Sequence, residues 1–120
     1  MTDATPAAAG FAMPPEWADH ARCWIAWPSG PGKWGDRLEA ARDAYAEVAR
    51  AIAEYEPVTM VAAPADMADA SLRCGDSVDI LMLDLEEAWL RDTGPTFLVG
   101  PNGVLAGVDW QFNGWGGKVD

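Results

Sequence analysis

An α/β fold is the reading this sequence favours, and three observations carry it. Short runs rich in β-branched and aromatic residues recur: "RCWIAWP" at 22–28, "VTMVAA" at 58–63 and "SVDILMLD" at 77–84. A long stretch with helical apolar spacing separates the first two, and a shorter helical stretch separates the second from the third. Strands alternating with helices are the signature of parallel pairing with crossover connections.

Taken in order, the first dozen residues, "MTDATPAAAGFA", are small, polar and Pro-containing, and they predict a flexible leader segment over 1–12. The strand at 22–28 ends at Pro28, which cannot donate to a ladder. "SGPGKWGD" reads as a loop. From Asp36 to about Tyr55 the apolar residues fall at Leu38, Ala41, Tyr45, Val48, Ala49 and Ile52, which predicts a helix. Asp36 is its expected N-cap, with Glu39 three residues on as in a capping box. Its charged residues, Glu39, Arg42, Asp43, Glu47, Arg50 and Glu54, read as a solvated face, with Glu47 and Arg50 spaced to pair for about 0.3 kcal/mol. Pro57 stops this region. "PADMADASLRC" predicts a short helix with Pro64 in its first turn. Phe97–Val99 and Val104–Trp110, joined by "GPNG", predict a hairpin, and "QFNGWGGKVD" is turn-rich. One long and one short helix are little cover for such a sheet, since parallel sheets are covered on both faces. The chain therefore reads as the first part of something larger.

The net charge of −11 argues against nucleic acid and anionic membranes as partners and suits a cationic ligand. No stretch approaches the roughly 18 apolar residues of a membrane span, and the start of the chain lacks the basic and long apolar regions of a signal peptide. Cys23 and Cys74 show neither metal spacing nor CxxC, which points to a reducing, cytoplasmic setting. Cys23 is expected to pack as a small hydrophobe, whereas Cys74, between Arg73 and Gly75, is expected at the surface.

The unusual segment is "AWLRDTGPTF" at 88–97, where an apolar run ends in adjacent opposite charges and a Gly-Pro break. Two readings are open from the residues alone. Trp89 can be core, with Arg91 and Asp92 each satisfied structurally and Gly94-Pro95 a turn. Alternatively, Asp92 lies where α/β sites are built, beyond the end of a strand. A carboxylate there accepts two parallel N–H bonds from a guanidinium, and an indole face adds a cation–π contact of about 0.5–2 kcal/mol. Seven tryptophans, at 17, 24, 27, 34, 89, 110 and 115, are more than the core of so small a domain can take.

The segments "MPPEWADHARCWIAWP", "YEPVTMV", "WLRDTGPTFLV" and "GVDWQFNGWGGK", in this order between Met13 and Lys118, resemble the N-terminal part of the agmatine deiminase family of the guanidine-modifying pentein superfamily. The resemblance implies a fivefold pseudosymmetric β/α propeller, incomplete here, with residues 13–120 supplying its first blade and part of the next. It implies hydrolysis of agmatine to N-carbamoylputrescine and ammonia, a step toward putrescine, without metal or organic cofactor. In that mechanism a cysteine thiolate attacks the guanidinium carbon, ammonia leaves and water releases the product, with a histidine as general acid and base.

Carried over by position, Asp92 matches a guanidinium-gripping aspartate and Trp89 the indole lining the same pocket. Arg91, Thr93 and Gly94 are expected to fix the loop, with Gly116 and Gly117 letting backbone approach the cavity, while Asn113 and Trp115 are candidates for the pocket. His20 lies in a weaker match, "MPPEWADH", and reads as a structural hydrogen-bonder. The family's nucleophilic cysteine, catalytic histidine and second aspartate match nothing in these 120 residues, and Cys23 and Cys74 do not have the nucleophile's surroundings. No catalytic residue is therefore assigned in this chain, which alone is expected to be inactive. The alternatives are a deiminase acting on peptidyl-arginine and a non-catalytic, partner-binding segment. Homo-oligomerisation is left open.

Overall fold

The computed structural model describes residues 4–85 and 87–118. They divide into two compact units, one of the described residues between 20 and 90 and one of residues 4–19 with 91–118.

The first unit is a three-stranded parallel sheet in the order β1-β2-β3, with β1 Cys23–Ala26, β2 Val58–Ala62 and β3 Asp79–Met82. A single helical turn, α1 (Pro31–Trp34), and the long helix α2 (Leu38–Ala53) connect β1 to β2, and α3 (Met67–Cys74) connects β2 to β3. All five residues of β2 are buried. Its Val58, Met60 and Ala62 share one face, because side chains alternate along a strand. They pack with Ala46 and Ala49 of α2 and with Ala70 and Cys74 of α3. Both helices thus cover the same face of the sheet. Alanines at these helix positions let the backbones approach, and Trp27, Met60 and Val58 fill the space between. Each such large side chain contributes roughly 1.5–3 kcal/mol through burial.

The opposite face carries a cross-strand row, Trp24–Thr59–Asp79, set by the parallel register. Arg22, two residues before Trp24, lies along it. Its guanidinium donates to the Thr59 hydroxyl and to Asp79 and sits 5.9 Å from the centre of the Trp24 ring. The neighbouring row ends in Leu81, which like Trp24 is exposed.

Several expectations require correction. α2 begins at Leu38 after a 3₁₀ turn at Gly35–Arg37, so Asp36 lies inside that turn and makes no cap. Glu39 pairs across to Arg73 instead of completing a capping box. Val48 is exposed, and the buried stripe runs through Ala46 and Ala49. The charged face of α2 is not simply solvated. Arg42 is largely buried, donates to the Pro28 carbonyl, and pairs with Asp66 at 2.6 Å and Asp69 at 3.1 Å. Arg73 ties Asp69 back to Glu39 and Asp43, while Arg50 turns to the Arg73 carbonyl rather than to Glu47. The carboxylates around Arg73 push its already high pKa further up. Spacing along α2 could not reveal the pairs of Arg42 with Asp66 and Asp69 or of Glu39 and Asp43 with Arg73, because those partners lie outside α2. Cys74 is fully buried rather than exposed, since the last turn of α3 aims it at β2.

The second unit is built on an antiparallel hairpin, β4 (Thr96–Val99) with β5 (Leu105–Val108), joined through a 3₁₀ turn at Pro101–Gly103. Ala12 extends it by exchanging two backbone hydrogen bonds with Val99, at 3.0 and 2.9 Å. The Phe11 ring lies so close to Gly100 that a Cβ there would come within 2.5 Å of it. Among the described residues no helix is long and apolar enough to cross a membrane.

Two measurements follow from the first unit. Arg42→Met leaves Asp66 without its cation and Asp69 with Arg73 alone. Loss of one partner from a largely buried pair should lower unfolding free energy by about 2–4 kcal/mol in urea titration, and a loss under about 0.5 kcal/mol would contradict the pairing. Burial raises the Cys74 thiol, and burial together with the Glu56 charge raises Cys23. A thiol held protonated by the fold contributes its stability below the ordinary thiol range and loses it as pH climbs past the raised value. Iodoacetamide at pH 8 should therefore spare Cys74 in the native protein and label both cysteines in urea; rapid native labelling of Cys74 would refute its burial.

Candidate functional site

Trp89 belongs to the first unit and lies on the irregular segment that follows β3. Its indole is 56% exposed, so it is not core. It lines a cavity of ≈ 170 Å³ together with Ser29, Lys33, Trp34, Glu87 and Ala88. Pro28 ends β1's run and starts the loop that carries Ser29. The α1 turn then presents Lys33 and Trp34 on adjacent residues. Trp34 is held edge-on against Tyr45 of α2, with ring centres 6.0 Å apart at 82°. Ser29 donates to Asp66, the same carboxylate that receives Arg42, which ties the loop to α3. Across the cavity Lys33 donates to Glu87. The result is a small chamber with two indoles, one carboxylate and one ammonium on its walls.

Asp92 belongs to the second unit. It lies on the helical turn α4 (Leu90–Thr93) and is exposed, as are Arg91 and Thr93. Arg91 donates to both carboxylate oxygens of Glu16, at 2.9 and 3.4 Å. That bond, with the charges of Glu16 and Asp92, raises the Arg91 pKa. The guanidinium of the chain's own Arg91 is thus engaged by Glu16, while the adjacent carboxylate stands at the surface. Gly94 makes the bend into β4, and its backbone needs no positive φ.

Asn113, Trp115, Gly116 and Gly117 come together in one turn, α5 (Gly114–Gly117), which is not regular helix. Trp115 has φ 55° and Gly116 φ 81°, both left-handed, and Gly117 has φ 74°. A Cβ on Gly116 or Gly117 would meet nothing within 4 Å. These glycines answer to backbone conformation and not to close approach, and the strained residue is Trp115. It is supported by Phe112, edge-on at 4.8 Å, and by the Asn113 side chain, which accepts the Gly116 N–H at 2.9 Å. Asn113 therefore has a structural task of its own. Trp110 donates to the Thr96 hydroxyl at 2.9 Å, bracing the hairpin ends.

His20 pairs with Glu56 at 3.0 Å in the first unit. Sequence reasoning missed Lys33, Trp34 and Glu87 as neighbours of Trp89. The only signals were a lysine beside a tryptophan in "GPGKWGD" and a carboxylate two residues before Trp89. It also missed Glu16 as the partner of Arg91, 75 residues away. Of the seven tryptophans only Trp27 is buried, which accords with a supply beyond what the core needs.

Comparison with known proteins identifies the family. Residues 12–120 match the family model of the Porphyromonas-type peptidyl-arginine deiminases. The chain belongs to that family. A relative from Streptomyces avermitilis is 50% identical over 117 residues, covering 95% of this chain and 34% of that protein. The agmatine deiminase of Stutzerimonas stutzeri is 45% identical over 115 residues, again 95% of this chain but 31% of the relative. Among solved structures, the agmatine deiminase of Enterococcus faecalis superposes with a TM-score of 0.91 at 32% identity, covering 98% of this chain and 32% of that one. The chain thus spans about a third of the length of the curated relatives it matches.

Proposed function

We propose that this chain is the N-terminal part of an agmatine deiminase, in which Asp92 and Trp89 help to bind the substrate guanidinium. The observation that carries the reading is the segment "WLRDTGPTF": its Asp92 stands exposed while the neighbouring Arg91 is committed to Glu16. An exposed carboxylate of this kind matches the paired N–H edge of a guanidinium, and the exposed Trp89 offers a flat face to such a cation. The names of the relatives point to the same substrate.

In the full enzyme a thiolate attacks the guanidinium carbon. Ammonia departs from the tetrahedral adduct, and water then displaces the thiolate to give N-carbamoylputrescine. Asp92 holds the guanidinium in its charged, planar form and keeps its carbon open to attack. Cys23 and Cys74 are poor candidates for the nucleophile, since burial raises both thiols. The thiolate and its acid–base histidine are assigned to chain outside these residues. The setting we favour is the pentein propeller, with residues 13–120 as its first blade and part of the next, in a cytoplasmic enzyme without metal or organic cofactor. Asn113 and Trp115 are secondary candidates for the pocket, Arg91, Thr93 and Gly94 shape the loop, and Gly116 and Gly117 shape the turn beside Trp115. A peptidyl-arginine substrate is the second reading, favoured by the description of the matching family.

In the full-length protein, Asp92→Asn keeps shape and removes charge. Loss of one member of a desolvated charge pair costs about 2–5 kcal/mol, so kcat/KM for agmatine should fall by about 30-fold or more. Turnover at the wild-type rate would remove Asp92 from the site. Trp89→Ala should raise KM by about 2- to 30-fold, the range of one cation–π contact. Faster turnover of a peptidyl-arginine substrate than of agmatine would decide for the second reading.

A further inference from the structure

The Lys33–Glu87 pair in the indole-lined cavity has no place in the reading above, and its asymmetry is informative. The Glu87 side chain is 12% exposed, whereas Lys33 is 42% exposed. The carboxylate is the more buried member and the ammonium the more exposed one, carried on a four-carbon stem. A carboxylate so far withdrawn from solvent needs a cation beside it. Trp34, held against Tyr45, and Trp89 supply the remaining walls. Two indoles and one carboxylate form a cage suited to an organic cation.

We infer that Glu87 is a second substrate-recognition carboxylate and that Lys33 is its internal counter-ion, neutralising it in the empty site and yielding it when a cationic ligand enters. The ligand class is an amine or guanidine cation small enough for a cavity of ≈ 170 Å³, such as one end of agmatine. The inference rests on the placement of Trp89 at the substrate site in the reading above. It adds that Lys33 competes with the substrate, so that removing each member of one ion pair has opposite effects.

The test uses the full-length protein with Lys33→Met, Lys33→Arg and Glu87→Gln. Agmatine kinetics are read alongside equilibrium binding of methylguanidinium by tryptophan fluorescence. Lys33→Met should lower the agmatine KM and the methylguanidinium Kd severalfold with kcat within about twofold, since a competing charge has gone. Glu87→Gln should raise both about tenfold or more, the scale of a lost charge-assisted contact. Lys33→Arg keeps the competing charge and should stay near wild type. If Lys33→Met and Glu87→Gln weaken binding alike, the pair is a structural latch and the inference fails, even where Asp92→Asn has upheld the deiminase reading. If agmatine is not turned over but methylguanidinium binds in the predicted order, the deiminase reading fails and this one stands. Equal affinities in all variants, or no binding in any, overturn it.

Discussion

Burial of β2 is the constraint on which the first unit depends. All five residues from Val58 to Ala62 are withdrawn from water, so the strand must be flanked by β1 and β3 and roofed by helices. Parallel neighbours require crossovers, and the crossovers are α2 and α3. Their small buried residues, Ala46, Ala49 and Ala70, allow both to settle on the one face. The Arg42 and Arg73 pairs then fix the helices to each other along an edge that water can reach.

That scaffold determines where the groups of the proposed site stand. Strand β1 ends at Ala26, and the burial of Trp27 and Pro28 just beyond it anchors the start of the segment Ser29–Trp34. The loop is held again by Arg42 on the Pro28 carbonyl and by Ser29 on Asp66. Lys33 and Trp34 are therefore carried by a segment tied to the buried core and to the Arg42–Asp66 pair. Rigid support beneath a polar, aromatic loop is the usual arrangement for recognition. In the second unit the hairpin does the same work for the turn around Trp115, with Trp110 bonded to Thr96 and Phe112 packed against the strained residue. Strain at Trp115 persists because its neighbours leave it no better place.

Local patterns announced most of the architecture. Three β-branched runs, one long helical repeat and the "GPNG" turn located the strands, α2 and the hairpin to within one to three residues, because those signals reside in consecutive side chains. Contacts between distant elements were not legible. Arg42 and Glu39 looked like surface charges because Asp66, Asp69 and Arg73 reach them only through folding. Cys74 looked exposed because its neighbours in sequence are polar, whereas its neighbours in space are apolar. For the candidate site, "WLRDTGPTF" singled out Asp92 and Trp89 by composition and resemblance alone. Lys33 and Trp34 join Glu87 and Trp89 only through folding, across more than fifty residues of chain, and no spacing rule links them.

The central claim is that Asp92 meets a guanidinium in the full-length enzyme. A crystal structure of that protein with agmatine bound tests it directly. The expected result is two guanidinium nitrogens on the Asp92 carboxylate. Agmatine bound elsewhere, with Asp92 facing only solvent, would contradict it.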